Sequence, residues 1–179
     1  MKPTRYFISY LLIGSIIFLS SCSKSNKKFE YDLPVQTVSF AIDTTTSLGD
    51  KTLGSTTFSI DLQGTLVPNN VKINDIESIK LTSADFSMLK PDSMTFNKFA
   101  NLYSYVSISG LLEKKISSIN YVPSGQYVLK TKGEDADVFS VISSSVVTLR
   151  VSGFVTDTIA TPDSVQATLR FRVYTKIPI

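Results

Sequence analysis

The chain has no histidine, no tryptophan and a single cysteine in its 179 residues. The missing histidine excludes Ser-His-Asp and Cys-His constellations, histidine-based zinc sites and an imidazole general base. A lone cysteine leaves no internal disulfide, so stability has to come from apolar burial, for which the length suffices. Carboxylates, Lys, Tyr and Ser remain for catalysis. Two acids are enough for a glycosidase, so a carboxylate-dependent hydrolase is the one enzymatic reading left open. Long helical patterns are scarce too, and no cofactor is expected.

The apolar run Tyr6 to Leu19 falls short of the ~20 residues a membrane-crossing helix needs. It follows Lys2 and Arg5 and precedes small residues, the layout of a secretory signal over residues 1–21. It ends in Leu19-Ser20-Ser21-Cys22. This ending resembles the lipobox of bacterial lipoproteins: an aliphatic residue, two small residues, then cysteine. The resemblance implies cleavage before Cys22, diacylglycerol on its thiol and acylation of the new amino terminus. It therefore implies a chain anchored by lipid in the cell envelope. Two or three acyl chains hold firmly where one would be marginal, and lipidation removes an otherwise unpaired thiol.

Ser23 is unlike the Asp that marks inner-membrane retention, so the resemblance points to the outer membrane. The tether, residues 22–32, continues Ser23-Lys24-Ser25-Asn26-Lys27-Lys28, with Glu30 and Asp32 arriving late. Surface lipoproteins of Bacteroidetes carry acids directly after the cysteine, so the periplasmic and surface faces both stay open. The lysines suit a solvated linker or contact with anionic headgroups. Loss of the leader removes Lys2 and Arg5 and lowers the formal charge from +3 to about +1. With no basic cluster beyond the tether, nucleic acid is not an expected partner.

Residues 33–179 read as one β domain. Val38, Phe40 and Ile42 alternate with polar or small residues, as a half-buried strand does. Asp43 to Gly54 reads as a loop, and Phe58, Ile60 and Leu62 as a second strand. Ile79 and Leu81 start a third, whose phase shifts before Ala84, Phe86 and Met88. That shift predicts a β-bulge near Thr82. A turn starts at Pro91-Asp92, and Phe96, Phe99 and Leu102 suggest a short helical turn. Residues 102–109 form a strand with Val106 and Ile108 inward and Tyr103 and Tyr105 outward. Shorter extended pieces cover 116–121 and 126–130. A short helix is expected at Val138, Phe139 and Ile142, with Asp135 as its N-cap. Val147 to Ser152 and Val165 to Tyr174 are the clearest strands. About seven strands predict a two-sheet antiparallel β-sandwich, immunoglobulin-like in the broad sense, with a small barrel as alternative. The stretches Ser78 to Ser83 and Leu102 to Gly110 resemble uncharacterised β-sandwich lipoproteins of Bacteroidetes, a likeness that transfers no site residue.

Three groups are candidate sites. Glu134, Asp135 and Asp137 are the densest acids, spaced for calcium or simply for a helix start. Tyr103, Tyr105, Tyr121 and Tyr127 supply aromatic surface for a sugar, or cross-strand packing without a ligand. Arg150, Arg170 and Arg172 are expected on one wet face of a final hairpin, beside local acids or an anion. The expected function is that of a non-catalytic envelope binding module for glycan or protein, with Tyr103 and Tyr105 as the candidate ligand surface. The alternative is a structural or assembly subunit of an envelope complex.

Overall fold

Alternation in the C-terminal stretch sets the frame. Val165, Ala167, Leu169, Phe171 and Val173 are buried, and the residues between them are half-buried. That is the pattern of an antiparallel strand with one face on the core. The computed structural model describes residues 29–90, 95–143 and 146–176. The leader, Cys22, most of the tether and the turn at Pro91-Asp92 lie outside the described residues. Nine strands are present among those described: β1 Glu30–Asp32, β2 Gln36–Ile42, β3 Gly49–Phe58, β4 Ile76–Met88, β5 Phe99–Ser107, β6 Lys114–Ile119, β7 Val128–Lys132, β8 Val147–Val155 and β9 Asp163–Thr175.

They form two antiparallel sheets. One has the order β1-β9-β4-β7, with β2 also pairing β9; the other has the order β3-β8-β5-β6. The expected sandwich is therefore what the chain forms, and the sheets do not close into a barrel. The pairs nest: β5 with β6, β4 with β7, β3 with β8, β2 with β9. A long ribbon folded over in this way is a double-Greek-key jelly roll. Among the described strands, only β5 and β6 are both consecutive in the chain and paired with each other.

The core lies between the sheets. The ring of Phe171 (β9) stacks on that of Phe58 (β3) with centroids 6.3 Å apart. The expected bulge is present: the β4–β9 register shifts between Leu81 and Ser83, so both halves of β4 point inward. The 3₁₀ turn Phe96–Lys98 is also where the spacing put it.

Four expectations need correction. The second strand is Gly49–Phe58, not Phe58 to Leu62. Asp61 caps a one-turn helix Leu62–Leu66 by accepting from Gly64 N, which ends the strand early. The domain begins before residue 33, because Glu30–Asp32 already pairs with β9. Asp135 caps nothing: Asp137 Oδ1 accepts from Phe139 N at 2.9 Å and from Ile79 N at 3.0 Å. Finally, β8 and β9 are not a hairpin but lie in different sheets. No helix among the described residues is long and apolar enough to cross a membrane.

Candidate functional site

Alternation along β5 buries Leu102, Ser104 and Val106 and turns Tyr103 and Tyr105 to the outer surface of the four-stranded sheet. Register then sets their neighbours. Thr52, Ser152, Tyr103 and Ser118 form one row across β3, β8, β5 and β6. Ser55, Arg150, Tyr105 and Lys115 form the next. A concavity of about 380 Å³ opens over these rows, with Asp50 and Lys51 on its β3 side and Gly153 in its floor. A Cβ at Gly153 would lie 2.5 Å from Asn101 O. Glycine therefore allows β8 to pass the β5 bulge between Phe99 and Leu102.

Arg150 is held from two sides. Its Nε and Nη2 donate to the two carboxylate oxygens of Glu113 at 2.8 and 2.6 Å, a bidentate pair. Its guanidinium lies 4.3 Å from the Tyr105 ring centroid. Nη1 reaches toward Thr52 Oγ1 at 3.5 Å and leaves donors facing the concavity. The hydrogen bond from Arg150 holds the Glu113 carboxyl below the usual carboxylate range, against the opposing effect of burial. Lys115 Nζ stands 5.8 Å from the Tyr103 centroid. The aromatic surface is thus a Tyr–Arg stack beside a second tyrosine, not four bare rings. Tyr121 belongs elsewhere, in a separate concavity beside Val128, and Tyr127 O accepts from Met88 N at the edge of the other sheet.

The other candidates disperse. Arg150 is on the four-stranded sheet, while Arg170 and Arg172 are on β9 of the five-stranded one, so the three do not share a face. Arg170 pairs with Asp85 at 2.8 Å. Arg172 pairs with Asp32 at 2.7 Å and with Glu30 at 3.7 Å. The acids at 134–137 are directed apart. Glu134 accepts from Ser118 Oγ and pairs with Lys115; Asp135 pairs with Lys80; Asp137 binds backbone N–H groups. No cluster of three or more metal-binding side chains occurs among the described residues.

Sequence reasoning missed Asp50, Lys51, Thr52 and Glu113. The first three sit in a stretch read as loop, although its threonines favour strand. Glu113 sits in the β5–β6 connection, and only the folded register brings it to Arg150.

No protein-family model matches the chain, and no curated protein matches it. Among solved structures it is similar to the infectious bursal disease virus VP2 subviral particle, at 11% identity and a TM-score of 0.36, over 86% of this chain and 34% of that one. It is also similar to the decameric BFDV capsid protein, at 13% identity and a TM-score of 0.32, over 82% and 99% of the two chains. The chain spans about a third of the length of the VP2 chain it matches. Neither likeness bears on what the chain does.

Proposed function

We propose that the chain is a lipid-anchored envelope protein, held by Cys22, that binds a neutral saccharide beside Tyr103 and Tyr105. The observation that carries this reading is the Tyr105–Arg150 stack braced by Glu113 at the concavity. A sugar offers apolar C–H faces and many hydroxyls. The site offers aromatic surface together with donors on Arg150 and Lys51 and acceptors on Asp50, Thr52 and Ser152. The positive charges of Lys51 and Arg150 are matched by Asp50 and Glu113, which favours an uncharged ligand over an anion. A non-catalytic role is supported by Glu113. A glycosidase's general acid needs a raised pKa, whereas Glu113 is held low by its arginine.

The anchor reading rests on Leu19-Ser20-Ser21-Cys22. The first described strand, β1, lies beside the C-terminal end of β9 on the five-stranded sheet, not on the sheet that carries Tyr103 and Tyr105.

A glycan array probed with the full-length chain in detergent tests the site. The intact protein is expected to retain a neutral oligosaccharide, and Tyr103→Ala and Tyr105→Ala to retain it at least tenfold less, about 1.4 kcal/mol. Failure of the intact protein to retain any glycan overturns the site. Cys22→Ser is expected to move the protein out of the membrane fraction and to remove the acyl mass. Unchanged partitioning and mass overturn the anchor.

A further inference from the structure

The two sheets part company along one side of the sandwich. Near the bottom of that side β6 and the residues after β7 are joined, by a bridge between Ser117 and Gly133 and by Glu134 N donating to Ile116 O. Gly133 also passes so close to β4 that a Cβ would lie 1.7 Å from Leu81 O. Farther along, the strands diverge around a concavity of about 530 Å³ lined by Ile119, Tyr121, Pro123, Val128, Leu129 and Lys130. Tyr121 is 79% exposed there.

The free edge of β7 faces this gap. Met88 N donates to Tyr127 O and Gly133 N to Thr82 O. In the β4–β7 register, the alternation of an antiparallel ladder then commits residues 127, 129, 131 and 133 to β4. Val128 and Lys130 turn their N–H and C=O groups outward, and among the described residues no strand pairs with them; at Lys132 β6 closes in through the bridge between Ser117 and Gly133. The side chains of Val128, Lys130 and Lys132 are exposed on the outer face, while Leu129 and Thr131 point inward. The Thr131 hydroxyl is buried without a hydrogen-bond partner. Lys130 and Lys132 make no ion pair among the described residues, although Lys80, Lys98 and Lys115 all do.

We propose that this edge takes an extended segment of a partner protein whose residues alternate apolar and acidic. The added strand pairs its backbone with Val128 and Lys130. Its inward side chains fill the space above Leu129 and Ile119, and its outward carboxylates meet the two lysines. Edge lysines deter pairing with a second copy of the same edge, which would bring like charges together. They admit an acidic strand for the converse reason. This surface is separate from the concavity at Tyr103 and Tyr105.

Two eight-residue peptides serve as probes against the full-length chain in detergent, one alternating Val and Glu, the other Val and Lys. The Val–Glu peptide is expected to bind at least tenfold tighter and to slow amide hydrogen exchange at Val128 and Lys130. The double variant Lys130→Glu, Lys132→Glu reverses the preference. Both positions are exposed, and circular dichroism confirms that the variant is folded. Tyr103→Ala leaves peptide binding unchanged. Equal binding of the two peptides, protection at other strands only, or protection of these amides by self-association without peptide would each overturn the proposal.

Discussion

On the outer face of the five-stranded sheet, Arg170 and Arg172 reach across strands and each meets a carboxylate. Lys80 meets Asp135 and lies over Tyr174. Ser83 stands opposite Arg170, and Thr168 and Gln166 continue the face beyond it. On the outer face of the four-stranded sheet, Arg150 also meets a carboxylate but lies on Tyr105 as well, with Tyr103 in the next row. The same period-two alternation builds both faces. The difference is that the first face closes the charges around β9 among themselves, as exposed pairs of little net worth, and leaves Lys130 and Lys132 on its β7 edge outside ion pairs among the described residues. The second uses its ion pair to fix a guanidinium against a ring, which leaves aromatic surface and spare donors turned toward a concavity. A charged face is a solvated coat when its partners satisfy one another, and a site when they hold one another still for something else.

The two faces share one floor, and removing it is the largest effect expected. Phe171 is fully buried and stacks on Phe58 across the sheets. Phe171→Ala should cost about 3–5 kcal/mol in urea unfolding. It should also lower saccharide retention and the order of both faces together. Loss confined to the five-stranded face would mean that the sheets are not coupled through this core. A smaller and one-sided effect is expected from Gly153→Ala. The new methyl meets Asn101 O at 2.5 Å and Leu102 Cδ2 at 2.9 Å, so β5 or β8 must shift. Roughly 1–3 kcal/mol should be lost. Saccharide retention should fall, while amide exchange around Asp32 and Arg172 on the other face stays as in the parent. Equal disturbance of both faces would contradict their independence.

The contrast between the faces was only half legible in the sequence. Strands such as β9 declare themselves, because Val165 to Val173 carry the alternation unbroken. The bulge in β4 was legible from a phase shift of one residue. Tyr103 and Tyr105 were placed outward by their apolar neighbours Leu102 and Val106. By contrast, β3 was not legible. Within it only Leu53 and Phe58 are buried, and a register shift between Thr52 and Gly54 breaks the period. With Asp43 to Gly54 read as loop, the β3 side of the concavity, Asp50 to Thr52, goes unseen. The jelly-roll order was out of reach for a different reason. Alternation says that a strand has a core face, but which sheet it joins depends on pairings between residues far apart in the chain. Hence sequence pattern groups Arg150 with Arg170 and Arg172, twenty residues or so along the chain but on the other sheet.

The smallest effect separates the faces by pH. In the folded chain Glu113 is held below the usual carboxylate range by its hydrogen bond to Arg150. Asp32 is held low in the same way by Arg172. In the unfolded chain both return to about pKa 4. A depressed folded pKa means that each pair contributes stability above the unfolded value and loses it as pH falls through the folded one. Both pairs are substantially exposed, so each should contribute less than about 1 kcal/mol. Unfolding free energies measured by urea from about pH 3 to about pH 7 should therefore fall at the acid end. Either Glu113→Gln or Asp32→Asn should remove a similar share of that slope. Only Glu113→Gln should weaken saccharide retention at neutral pH, because only it frees a guanidinium from a tyrosine ring. If Asp32→Asn weakened retention as much, the closed face would be part of the site, and the distinction between a braced arginine and a merely neutralised one would fail.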